Sequence, residues 1–102
     1  MKNIVYIIGI KGTNYFKIGC SRDLDSMWKR FLMIDSHNHK ECQLLGYLGA
    51  PNGEEREYYL HKKYHQYRVR NEWFKYDVEK VFEEERFIKY LRKKNSRKNI
   101  SH

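Results

Sequence analysis

The chain has 102 residues, 40% of them hydrophobic and 16% aromatic, which suits one domain with a single modest core and leaves no room in it for a second. Its net charge is +8, and the excess lies late: Arg86–His102 carries seven Lys/Arg and no Asp/Glu, which points to a polyanion as partner. Two cysteines exclude a disulfide framework, and no apolar stretch forms a signal peptide or approaches the roughly 20 residues of a membrane span, so the expected setting is the cytoplasm with reduced thiols.

Residues 3–10, NIVYIIGI, are β-branched and apolar at both parities, which predicts a strand covered on both faces. Residues 15–20, YFKIGC, predict a second strand, and the short glycine-bearing connection predicts a hairpin. With Lys11-Gly12 as a two-residue tip, Tyr6 falls opposite Lys17, about 5 Å away at Cβ. Ser21 or Asp23 can cap a helix over about 24–34, with Leu24, Met27, Trp28, Phe31 and Ile34 on one stripe and Arg30 off it. DSHNHKE is a polar loop, CQLLGYLG a third strand and APNGE a turn. A helix over about 54–67 follows, with Leu60, Tyr64 and Tyr67 inward; NEWFKY is a short strand or ordered loop. Asp77 caps a last helix with Val78, Val81, Phe82, Ile88 and Leu91 inward, and RKKNSRKNISH has no periodicity. The sum is an α+β fold, a small three-stranded antiparallel sheet flanked by helices, with the domain over residues 1–92 and a basic, flexible tail over 93–102.

A lysine inside an otherwise apolar strand needs a reason. Beside Tyr6, the Lys17 ammonium would favour phenolate and let the tyrosine act as general base toward water. Gly19 lets another group approach the second strand closely. A guanidinium such as Arg30 is the best single side chain for the extra charge on phosphorus oxygens, with Lys29 and Arg22 as nearby competitors. Glu57 and His61 share a helical face, and a lone carboxylate suits Mg²⁺. Glu54 and Glu55 compete with Glu57 by composition alone. Each of these residues has a bland reading as core, exposed strand face or solvated helix, and Glu72-Trp73-Phe74 reads first as packing.

Taken in order, Val5-Tyr6-Ile7, Phe16-Lys17-Ile18-Gly19, Arg30, Glu57-Tyr58-Tyr59-Leu60-His61 and Arg68 followed by Asn71-Glu72-Trp73-Phe74 resemble the short phage and bacterial branch of the GIY-YIG nucleases. The resemblance runs from about Ile4 to Tyr76. It implies a metal-dependent endonuclease that hydrolyses DNA phosphodiester bonds, with RNA as the alternative nucleic acid. Tyr6 would be the general base with Lys17 as its partner, Arg30 would bind the scissile phosphate, Glu57 would hold Mg²⁺ or Mn²⁺, and His61 would support the substrate or leaving group. Gly19, Lys29, Arg68 and Asn71 would contact the nucleic acid, and a partner protein or a homodimer would add specificity. The first motif lacks its glycine. The segment from Gly19 to Arg30 is longer than the pattern by about one helical turn, so that Met27 falls where an unshifted arginine would stand.

Two other functions fit the same chain. One is a nucleic-acid-binding module on the same fold without cleavage, which Met27 in the arginine position would favour. The other is a zinc-stabilised interaction protein built on His37, His39 and Cys42.

Overall fold

A computed structural model describes residues 1–90. Among them are six strands and three helices: β1 (Ile4–Ile10), β2 (Tyr15–Ser21), α1 (Leu24–Ser36), β3 (Cys42–Gly49), α2 (Gly53–Lys63), β4 (Arg68–Arg70), β5 (Trp73–Lys75), α3 (Val78–Glu85) and β6 (Ile88–Lys89). The strands form one antiparallel sheet in the order β4-β5-β2-β1-β3-β6. The expected α+β class stands, but the sheet has six strands, not three. β4, β5 and β6 are two or three residues long, too short for a period-2 pattern to register.

Each helix begins on a side-chain cap. Asp23 accepts from the Ser26 N–H, Asn52 from Glu55 and Asp77 from Glu79. α2 stops at Lys63 and gives way to a 3₁₀ turn over His65–Tyr67, so Tyr67 stacks on Tyr76 at 3.9 Å instead of continuing the helix. α3 stops at Glu85 because Arg86 turns left-handed (φ 62°). Ile88 therefore lies in β6 and is 55% exposed, contrary to its expected place on the inward face of the helix. The expected inward Leu91, the end of the domain at 92 and the tail over 93–102 lie outside the described residues.

Strand alternation divides the core in two. Val5, Ile7, Phe16, Ile18, Leu48 and Phe74 face α2 and α3, where Leu60, Val81 and Phe82 cover them. Tyr6, Ile8, Cys42 and Leu44 face α1, where Met27 and Phe31 cover them. β1 is thus buried on both faces, as its apolar run predicts. No helix among the described residues is long and apolar enough to cross a membrane.

The hairpin register differs from the expected one by two residues. The turn is wider than Lys11-Gly12 alone, with the Thr13 N–H returning to the Ile10 carbonyl and Gly12 at φ 78°. Tyr6 is therefore paired with Gly19, and Lys17 with Ile8. A shift of two keeps every side chain on its face, so the packing survives while the partners change.

Candidate functional site

β5 pairs with β2 only from Tyr15 to Lys17. Beyond Lys17 the outer edge of β2 has no strand beside it among the described residues, and at Gly19 it has no side chain. An open cleft of about 660 Å³ forms there, lined by Tyr6, Lys17, Gly19, Arg30, Glu57 and Glu72, with Cys20, Arg22, Ser26 and Lys2 around them. Side chains from both faces of the sheet meet at this edge.

Tyr6 is 2% exposed, and its ring occupies the space beside Gly19. A Cβ at position 19 would stand 2.5 Å from the Tyr6 hydroxyl oxygen and 2.6 Å from Cζ. Burial raises the Tyr6 pKa above the ordinary phenol value. The Arg30 guanidinium, as a nearby charge and hydrogen-bond donor, opposes that rise, and the Glu57 carboxylate adds to it. The cation beside the phenol is thus Arg30. Lys17, expected in that role, instead donates to Glu72 Oε1 at 2.8 Å and lies over the Trp73 ring. The reason is the register: Lys17 is the cross-strand partner of Trp73, next to Glu72, and stands two residues from Tyr6's partner. Its hydrogen bond lowers the Glu72 pKa.

Arg30 and Met27 are one helical turn apart and do different things. Met27 is fully buried against Tyr6 and Ile8, whereas Arg30 is exposed and lines the cleft. One turn of α1 beyond Met27 places the guanidinium at the open end of the sheet.

Glu57 is half-buried and held from two sides. The Cys20 thiol donates to Oε1 at 2.9 Å, and His61 Nε2 lies 3.6 Å from Oε2. The same His61 nitrogen is 3.1 Å from the Ile18 carbonyl oxygen. A carbonyl only accepts, so Nε2 carries the hydrogen, and His61 can present no lone pair from that atom. Phe74 meets the imidazole edge to face. His61 thus ties up a carbonyl of β2 beside Glu57; it lines a neighbouring hollow with Tyr58 and Arg68 rather than the cleft. Burial first, then the hydrogen bond to Glu57 and that carboxylate's charge, push the Cys20 thiol up to about 12.

The remaining candidates stand apart from the cleft. Lys29 points away one residue from Arg30 and pairs with Asp25 at 3.2 Å. Arg68 is on β4, and Asn71, left-handed at φ 54°, makes the β4–β5 turn. In their place Glu72 and Cys20 enter the cleft. Glu72 could have been found from the β5 register, but a lone cysteine next to a glycine gives no signal in sequence. Cys42 is buried, with its sulfur toward the Lys40 carbonyl, and His37 Nδ1 is held by the Met33 carbonyl at 2.7 Å. His37, His39 and Cys42 do not assemble, and no group of three or more metal-ligating side chains occurs among the described residues.

Cleft chemistry is that of an anion site with two carboxylates, of which Glu72 is already paired with Lys17. Lys2, Arg22 and Arg30 surround a phenol and a carboxylate whose second oxygen has only a long contact to His61. Such an oxygen fits Mg²⁺, which takes one or two carboxylates and keeps most of its waters.

A family model described as the T5orf172 domain matches residues 3–89. No curated protein and no solved structure matches the chain significantly.

Proposed function

The chain belongs to the T5orf172 domain family, found in phage and bacterial proteins and related to GIY-YIG-like nuclease-type domains, and from that premise we propose that it is a metal-dependent endonuclease of the GIY-YIG type acting on DNA. The observation that carries the reading is the meeting of Tyr6, Arg30 and Glu57 in one cleft at the free edge of β2.

Arg30 binds the scissile phosphate and stabilises the charge that gathers on its oxygens. Tyr6, adjacent to that guanidinium, accepts the proton of the attacking water. Glu57, held by the Cys20 thiol, is the ligand for Mg²⁺ or Mn²⁺. When bound, that cation would polarise a phosphoryl oxygen and neutralise the carboxylate that raises the Tyr6 pKa. Lys17 serves the site through Glu72, fixing one wall of the cleft. The late cluster of basic residues adds sequence-independent phosphate contacts and a salt-dependent affinity. A second copy or a partner protein would supply sequence preference.

Cleavage of end-labelled duplex and branched DNA in Mg²⁺ or Mn²⁺ tests this. Wild type should cut, and Tyr6→Phe should lose about 10²-fold or more of the rate while still binding DNA. Binding without cleavage in either metal would replace the nuclease by a binding module.

A further inference from the structure

Next to the cleft is a second hollow that the proposed reaction does not use. α1 packs across β1, β2 and β3 on its sheet face, and β5 and β4 lie to the outer side of that packing. There Tyr15, Lys17, Trp73 and Lys75 share one face, as alternate residues of two paired strands. The hairpin end of β1–β2, the loop after α1 and the β4–β5 hairpin border an open hollow of about 430 Å³ over this face. Its floor and walls are apolar and aromatic, with Ile10, Tyr15, Val69 and Trp73, while Lys40 and Arg70 stand at its rim. None of the described residues that line it is acidic.

We propose that this hollow takes an unpaired nucleobase of the strand whose phosphodiester lies in the cleft, so that the enzyme prefers single-stranded, bulged or branched nucleic acid to continuous duplex. The inference rests on the nuclease reading. The two spaces share a wall: Lys17 lines the cleft, and its Nζ lies 6.0 Å from the centre of the Trp73 ring, which lines the hollow. Tyr15 is two residues before Lys17 on the same face. A strand crossing that wall would keep its phosphates near Arg30 and Lys17 and present a base to Tyr15 and Trp73. Stacking on aromatic side chains is how proteins hold unpaired bases without reading their sequence, and a cationic rim keeps the backbone close. A base stacked within continuous duplex has no free face to lay on these rings, whereas an unpaired base has one.

The test is binding in EDTA, at one fixed salt concentration, of a labelled thymidine oligonucleotide and of an abasic oligonucleotide of equal length. Both carry the same phosphates, so any difference belongs to the bases. Wild type should prefer the base-bearing strand about tenfold, and Tyr15→Leu and Trp73→Leu, each checked for native circular dichroism, should lose most of that preference. Equal affinity for the two strands overturns the proposal and leaves the nuclease reading intact. A preference that survives both substitutions also overturns it, because the base is then held elsewhere. No binding of either strand, or of duplex, overturns both readings together.

Discussion

Gly19 stands directly across the β1–β2 ladder from Tyr6, and the tyrosine ring fills the space that a side chain at 19 would need. The glycine is required here by crowding and not by backbone angle. Gly19→Ala should therefore fold with a loss of about 1–3 kcal/mol, since a rigid, buried ring must move to admit the methyl group. It should also lose cleavage more than tenfold, because the ring that moves carries the phenol. Thermal unfolding and cleavage assays on the same preparation check both effects.

Met27 and Arg30 compete for one place in the sequence pattern and separate cleanly in space. Arg30→Ala should leave stability within about 0.5 kcal/mol of wild type and lower the cleavage rate about 10²–10³-fold. Met27→Ala should do the reverse at the level of the fold, losing about 2–5 kcal/mol through the cavity it opens beneath Tyr6. Urea unfolding of the two variants, set beside their single-turnover rates, distinguishes the roles.

Cys20 reports on Glu57. Burial and the carboxylate hold its pKa near 12, so at pH 8 it is a neutral thiol and reacts slowly with iodoacetamide. Glu57→Gln removes the negative charge 2.9 Å from the sulfur and should speed alkylation of Cys20 several-fold at that pH. Cys42, buried and remote from Glu57, should not change. Peptide mapping of the alkylated protein reads both cysteines at once.

Burial raises the Tyr6 pKa above its ordinary value near 10, so the free protein holds a neutral phenol at neutral pH. A base works in its deprotonated form, so the cleavage rate should climb with pH, by up to about tenfold per unit between about pH 6 and 9. The linkage to stability has the opposite sign. The folded state binds the phenolic proton more tightly than the unfolded chain, so this stabilising contribution is complete below about pH 10 and is lost as pH rises toward the folded value. A pH–rate profile checks the first statement, and alkaline denaturation of wild type against Tyr6→Phe checks the second.

Much of this arrangement was readable from residues. CQLLGYLG predicts β3 to its ends, Asp23 and Asp77 are legible as caps, and the two-sided apolar run marks β1 as a strand covered on both faces. What escaped depends on relationships that sequence spacing does not carry. A glycine-bearing connection does not state its loop length, so the register was read two residues short and Lys17 was matched to Tyr6 instead of to Ile8. The β4–β5 hairpin has strands too short for a pattern, and with it went the Lys17–Glu72 pair. His61 looked like a ligand or a substrate contact because its hydrogen bond to the Ile18 carbonyl spans 43 residues. Arg30, by contrast, was legible because it lies off the apolar stripe of its own helix, a purely local fact.

The most direct test of the account is nicking of supercoiled plasmid in Mg²⁺ by wild type and by Glu57→Gln, with DNA binding measured alongside. The account predicts open-circular product from wild type, its loss in EDTA, and at least about a 10²-fold slower reaction for Glu57→Gln at unchanged binding. Nicking by Glu57→Gln at the wild-type rate would contradict it, since the carboxylate at the edge of β2 would then hold no part of the chemistry.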